Sequence, residues 1–367
     1  MKKDRLVSRF CKYVECSSES GNEKDFCLLL EDELKVLGLE IKRDLVGEKC
    51  SSNGWNIYAR LGGEGESILL SAHLDTVTPG KGIKPVIENW TIKSSGDTVL
   101  GSDDKAGVAA IMEMLESFVE TGKKHIPIEV LFSICEENGL MGAKNADYSN
   151  IKSKRALVLD NENPGEIINK TPGYMALTFT VTGKAAHAGI APEEGIHALK
   201  AAALAVSNIP TGNVDEFTRM NVGNFLSPGK MNIVAEKAYF EVEIRSFNQE
   251  LLDKHVQNTI NSVKQACDAF KASFTYEKEA RSFISAVEED ADLIKEIKDA
   301  YSKLGIETSL VSSFGASDAT HIFANGLEVV NLGVGMRAVH STDEYIDIMD
   351  LESTTLFLEN FCTAKEK

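Results

Sequence analysis

GSDDKAGVAAIMEMLESFVETGKKHIPIEVLFSICEENG, residues 101–139, reads as a helix, a turn and a strand ending in two glutamates. Val108, Ile111, Met112, Leu115 and Phe118 recur at steps of three and four, one face of a helix that opens after Asp104. Ile128 to Ile134 is a short, nearly continuous apolar run, as expected of a strand buried on both faces of a parallel sheet. Ile68 to Leu70 before it and Ala156 to Leu159 after it read the same way, so strand, helix and strand alternate as in an α/β domain. Upstream, Phe26, Leu29, Leu30, Leu34 and Leu37 mark another helix, with Gly38 where a C-terminal cap belongs.

Near Tyr174 the texture changes. A strand over Met175 to Thr182 is followed by an alanine-rich helix, Ile196 to Val206, and an alternating strand, Tyr239 to Ile244. Leu252, Val256, Ile260, Val263, Cys267 and Phe270 then line a second helix, and Ala272 to Tyr276 reads as a strand. This βαββαβ order suits a two-layer domain with its helices on one face of an antiparallel sheet. Beyond Ala286 the α/β pattern resumes, with a helix at Leu293 to Leu304 and an apolar strand at Glu328 to Val334. The expected organisation is one α/β domain built from 1–172 and 286–367, with 173–285 inserted into it.

At 367 residues the chain has room for about two domains of roughly 150 residues each. Its 43% apolar and 26% charged residues are ordinary globular composition. A net charge of -17 repels nucleic acid phosphates and anionic lipid surfaces, so neither is expected as a partner. No apolar run approaches the roughly 20 residues of a membrane helix. Met1, Lys2, Lys3, Asp4 and Arg5 lead into no signal-peptide-like segment, which points to the cytoplasm. Seven scattered cysteines without a CxxC pair indicate buried thiols and neither a disulfide framework nor a zinc finger.

The chemistry gathers where the strands end. SAHLDTVTPG (71–80) places His73 and Asp75 after one strand, and CEENG places Glu136 and Glu137 after another. Asp160 ends a third strand, and Glu328 to Val334 leads through a short loop to His340. Asp103 and Asp104 open the helix of the first segment. Open α/β sheets bind ligands outside the carboxyl ends of their strands, and imidazole with carboxylate oxygen suits zinc, or cobalt or manganese. Two histidines and at least three carboxylates are enough for two ions sharing a bridging carboxylate. Of Glu136 and Glu137, one can bind metal while the other takes a proton from the attacking water.

SAHLDTVTPG, GSDDKAGVAAI, CEENGLMGAK, the Asp160 strand end, GKAAHAGIAPEEGIHAL and VHSTDEY together resemble, in order, the motifs of the di-zinc exopeptidase family containing peptidase T, carboxypeptidase G and the aminoacylases. The resemblance implies a zinc-exopeptidase-like α/β catalytic domain with an inserted ferredoxin-like lid through which the protein forms a homodimer. It implies two zinc ions held by His73, Asp103, Glu137, Asp160 and His340, with Asp103 bridging, Glu136 as general base and Asp75 orienting His73. A cis peptide between Asp103 and Asp104 is implied as well, and Asp104 itself reads as a structural carboxylate at the helix N-terminus. His187 would reach the active site of a partner subunit and steady the oxyanion, while Arg245 with Asn232 would hold a substrate carboxylate. GKAAHAGIAPEEGIHAL and FGASDATHIFANG look most like peptidase T, so the activity implied is removal of an amino-terminal residue from short peptides, tripeptides first. An N-acyl-amino-acid amidohydrolase, a carboxypeptidase and a non-catalytic metal- or peptide-binding relative are the alternatives. A nucleotide-binding α/β protein is a further rival, and the missing glycine motifs count against it.

Overall fold

Leu69 and Leu70 face opposite sides of one strand and are both fully buried, which is why Ile68–His73 shows no alternation in sequence. Leu70 joins a core with Ile111, Leu115 and Phe357; Leu69 joins another with Leu131, Val158, Ile322 and Val329. The structure, a computed structural model, describes residues 1–364. Its larger sheet runs in the order Glu40–Asp44, Asn56–Leu61, Ile128–Ser133, Ile68–His73, Arg155–Asn161, Glu328–Gly333, Glu166–Thr171. The four strands from Ile128–Ser133 to Glu328–Gly333 are mutually parallel, and the strands flanking them pair antiparallel. The sheet is therefore mixed, with its parallel part at the centre where both faces are covered.

Ser102–Thr121 crosses one face and packs against the helices Lys3–Glu15 and Ile348–Cys362. Its approach to the sheet leaves no room at Gly107, where a Cβ would lie 2.6 Å from the Leu159 carbonyl oxygen and 2.5 Å from the Asp104 carboxylate. Because the first of these is backbone, Gly107→Ala is expected to destabilise the protein by about 1–3 kcal/mol, read as a lowered unfolding midpoint. The helix Lys3–Glu15 is absent from the sequence reading. Leu6, Phe10, Tyr13 and Val14 are its buried face, but its polar side is engaged too: Arg5 makes a bidentate pair with the fully buried Glu113 at 2.7 and 2.8 Å. Its apolar positions nevertheless keep the helical spacing, so the signal for this helix is present in the sequence. Gly38 does cap the following helix, Lys24–Val36, at φ +76°, with Leu39 N–H bonded to the Leu34 carbonyl at 3.2 Å.

The described chain divides into two compact units, Met1–Lys170 with the chain from Ala286 on, and Thr171–Ser285. The second is an antiparallel sheet ordered Thr218–Leu226, Lys237–Ser246, Gly173–Thr182, Ser273–Ser282, the ferredoxin-like arrangement. Ala198–Asn208 and Gln249–Phe270 cover one face and share its core with Leu177, Phe179, Phe240 and Val242. Asn248 caps the longer helix by accepting from Leu251 N–H at 3.0 Å. The strand Thr218–Leu226 escapes sequence reading because TRMNVGNFL has few buried positions and no regular alternation.

All seven cysteines are free, five of them buried. No helix among the described residues is long and apolar enough to cross a membrane. His125 stacks on Phe118 at 4.7 Å, and His255 pairs with Asp215 at 2.8 Å.

Candidate metal centre

His73 ends its strand, Glu136 and Glu137 follow theirs, Asp160 lies within Arg155–Asn161, and His340 follows Glu328–Gly333, so the parallel core delivers all five to one edge. Asp103 meets them from the start of the helix Ser102–Thr121, where the Asp103–Asp104 peptide is cis. Its two oxygens face different histidines. Oδ1 lies 2.9 Å from His73 Nε2, which is also 3.8 Å from Asp160 Oδ1. Oδ2 lies 3.2 Å from His340 Nε2, which is 2.9 Å from Glu137 Oε1. Ligands of a tetrahedral ion bound at about 2.0–2.1 Å stand about 3.4 Å apart, in the middle of these separations. The residues thus form two imidazole and carboxylate sets that share Asp103, a donor set fitting two divalent ions.

Electrostatics make the same demand. Burial drives the Glu136 carboxyl well above its usual range, reinforced by Asp160, and burial with Asp103 does the same to Asp160. Burial also raises Glu137, to about 7. Asp103 is held below the ordinary carboxylate range: burial opposes its charge, but hydrogen bonds from His340 and His73 outweigh that cost. His340 is raised to about 9, first by its hydrogen bond to Asp103. So many converging carboxylates cannot all ionise without added positive charge, which divalent cations supply.

Supporting residues fix this edge. Asp75 holds His73 twice, its carbonyl 3.0 Å and its carboxylate 3.5 Å from Nδ1. That carboxylate also accepts from the backbone N–H of Glu136 at 2.9 Å, the N–H of Glu137 at 3.2 Å and the Ser20 hydroxyl at 2.6 Å. Asp104 accepts from the N–H groups of His73 and Gly107, at 3.2 and 3.1 Å, and so ties strand end to helix start. Its oxygens lie close to those of Asp160, but both are occupied by backbone donors. Glu344 was missed by sequence reading although it stands in VHSTDEY. It is 1% exposed and accepts from Gly101 N–H, the Ser102 hydroxyl and Asp103 N–H at 2.7, 2.6 and 3.1 Å, locking the turn that carries the Asp103 carboxylate. Buried Asp318 accepts from Ser133 at the end of the Glu136 strand.

The other expected residues lie in the inserted unit. His187 is exposed, and its Nδ1 accepts from Gly189 N–H at 3.2 Å, which leaves Nε2 to carry the proton of the neutral ring. Asn232 stands beside it: its carbonyl accepts from Ala188 N–H at 3.0 Å. Arg245 is elsewhere. It pairs in register with Tyr174, its guanidinium 4.4 Å over that ring, whereas the chain around His187 and Asn232 lies beyond the opposite, Lys237–Thr182 end of the same strands. Eight residues at about 3.4 Å each separate the ends by roughly 27 Å. Asn232 and Arg245 of one chain therefore do not form the expected pair, because the strand that joins them is fully extended.

Peptidase family M20/M25/M40 matches residues 69–364. The uncharacterized Bacillus subtilis protein YqjE is 34% identical over 95% of this chain and 95% of its own length. The aminopeptidase PepT of Bacillus cereus superposes with a TM-score of 0.93 at 31% identity, covering 99% of this chain and 98% of that one. A tripeptidase of Staphylococcus aureus gives 0.95 at 29%, with the same coverage. With a family match spanning the whole candidate centre and an aminopeptidase fold followed from end to end, the chain belongs to peptidase family M20/M25/M40 and is a peptidase T-like member of it.

Proposed function

We propose that the protein is a di-metal aminopeptidase of the cytoplasm that removes the amino-terminal residue from short peptides, tripeptides first. The observation that supports this reading is that Asp103 faces both histidine sets at once, while the Glu136 carboxylate, 8% exposed as a residue, accepts no hydrogen bond among the described residues. His73 and Asp160 would hold one ion, Glu137 and His340 the other, and Asp103 both. Two zinc ions, or cobalt or manganese in their place, would polarise the scissile carbonyl and acidify the attacking water. Glu136 takes the proton of that water and returns it to the leaving amine. His187 donates from Nε2 to the developing oxyanion, and Arg245 receives a substrate carboxylate with its planar fork.

Peptide length and polarity are tested with free and N-acetylated di- and tripeptides after loading with zinc, cobalt or manganese. Free-amino tripeptides are expected to turn over fastest, with the first residue released. Faster turnover of acylated amino acids would establish the amidohydrolase alternative, and release of the last residue the carboxypeptidase.

The same reading makes the protein a homodimer through the inserted unit, with His187 serving the partner's site. His187→Ala and Glu136→Gln would then each be inactive alone, the former by about 100 to 1,000-fold. Mixed and allowed to exchange subunits, they are expected to recover activity, since one site keeps both residues. A mixed dimer seen by mass measurement but still inactive would refute the partner role.

A further inference from the structure

Four consecutive backbone N–H groups, Ile134 to Glu137, donate to side chains. Asn56 Oδ1 takes Ile134 at 3.1 Å, Glu23 Oε1 takes Cys135 at 3.1 Å, and Asp75 takes Glu136 and Glu137 at 2.9 and 3.2 Å. This segment leaves the strand Ile128–Ser133, and Cys135 turns it through φ +52° so that the next residue is the base. Beyond the last rung of the ladder its direction is set by these acceptors. Asp75 is accounted for by His73; Glu23 touches no candidate metal ligand.

Glu23 is fully buried, and each of its contacts is an acceptor's. Oε1 takes Gly21 N–H at 2.9 Å, Cys135 N–H at 3.1 Å and the Cys135 thiol at 3.1 Å; Oε2 takes the Ser52 hydroxyl at 2.5 Å. Ser52 in turn accepts from Gly54 N–H at 2.8 Å. The neighbouring residues grip the other strand end: the Ser18 hydroxyl donates to the Leu74 carbonyl at 2.7 Å and the Ser20 hydroxyl to Asp75. SESGNE, residues 18–23, thus holds the two strand ends carrying His73 and Glu136 with side chains from outside the sheet. A buried carboxylate is costly unless several donors meet it, so one that spends its bonds on the residue before the base is placed there for geometry.

We propose that Glu23 is a positioning residue for the general base, acting through the Cys135 peptide to aim the Glu136 carboxylate. The proposal rests on the reading of Glu136 as base. Glu23→Ala leaves Gly21 and Cys135 N–H without an acceptor and lets the Cys135 peptide turn. A misplacement of about 1 Å at a reacting group costs up to about 100-fold in rate, so kcat is expected to fall about 10 to 100-fold. KM should stay within about two-fold and two metal ions per chain should remain, because no ligand is touched. Glu23→Gln should keep most of kcat: its amide oxygen can replace Oε1, and Ser52 can rotate to accept from the amide nitrogen. Glu23→Asp, shorter by one methylene, should fall between them.

Amide exchange gives a readout independent of turnover. In the metal-loaded Glu23→Ala protein, exchange over residues 134–140 should quicken at least ten-fold while Ile128–Ser133 stays protected. Loss of metal in step with activity, equal losses in the Gln and Ala variants, unchanged exchange over 134–140, or failure of both the Ala and Asp variants to fold would each overturn the proposal. An inactive wild-type protein, or a fully active Glu136→Gln, would overturn the proposed function instead and leave the exchange result to decide whether Glu23 orders this segment.

Discussion

Glu136→Gln is expected to bind two metal ions as the wild type does and to lose about 100 to 10,000-fold in kcat, the usual contribution of a general base. The substitution keeps the shape of a side chain whose carboxylate accepts no hydrogen bond among the described residues and removes only its ability to take a proton. Glu137→Gln is expected to behave in the opposite way. Glu137 lies 2.9 Å from His340, and losing its charge should weaken metal binding first, with activity recovered when metal is raised. Turnover and metal content measured on both variants decide the assignment, and swapped phenotypes would exchange the two roles.

Removal of metal by a strong chelator is expected to abolish hydrolysis altogether, and zinc, cobalt or manganese to restore it. Reloading should depend on pH with a definite sign. In the metal-free protein His340 has its pKa raised to about 9 and Glu137 to about 7, so both hold protons in acid that an incoming cation must displace. Affinity should therefore rise as pH increases from about 6 to about 9, and binding at pH 7 should release at least one proton. Calorimetry in buffers of different ionisation enthalpy measures that number. Full activity in chelator, with no transition metal found by elemental analysis, would refute metal dependence.

What could be read in advance depended on whether a residue's role leaves a local trace. The buried strands, the helix after Asp104 and the acids and histidines at strand ends declare themselves through runs, periods and short motifs. Glu23 and Glu344 do not: they act on the backbone of residues 112 and 241 positions away, and a peptide N–H has no letter in the sequence. Glu344 left half a clue, four residues after His340 in a segment already singled out. Asn232 and Arg245 are paired only by the family resemblance, and the extended strand between them sets a distance that no motif spells out.

The strand Glu328–Gly333 lies between Arg155–Asn161 and Glu166–Thr171, two strands that follow each other closely in the chain. During synthesis this leaves an open seam. The inserted unit is complete once Ser285 has emerged and can fold as its own cooperative body, whereas the larger sheet waits for a strand made more than 150 residues after the neighbour it pairs with at Arg155. His340 emerges later still. A nascent chain therefore cannot bring His340 to Asp103 until the inserted unit and the strand Glu328–Gly333 have both been made, so the two halves of the candidate metal centre are completed at different times.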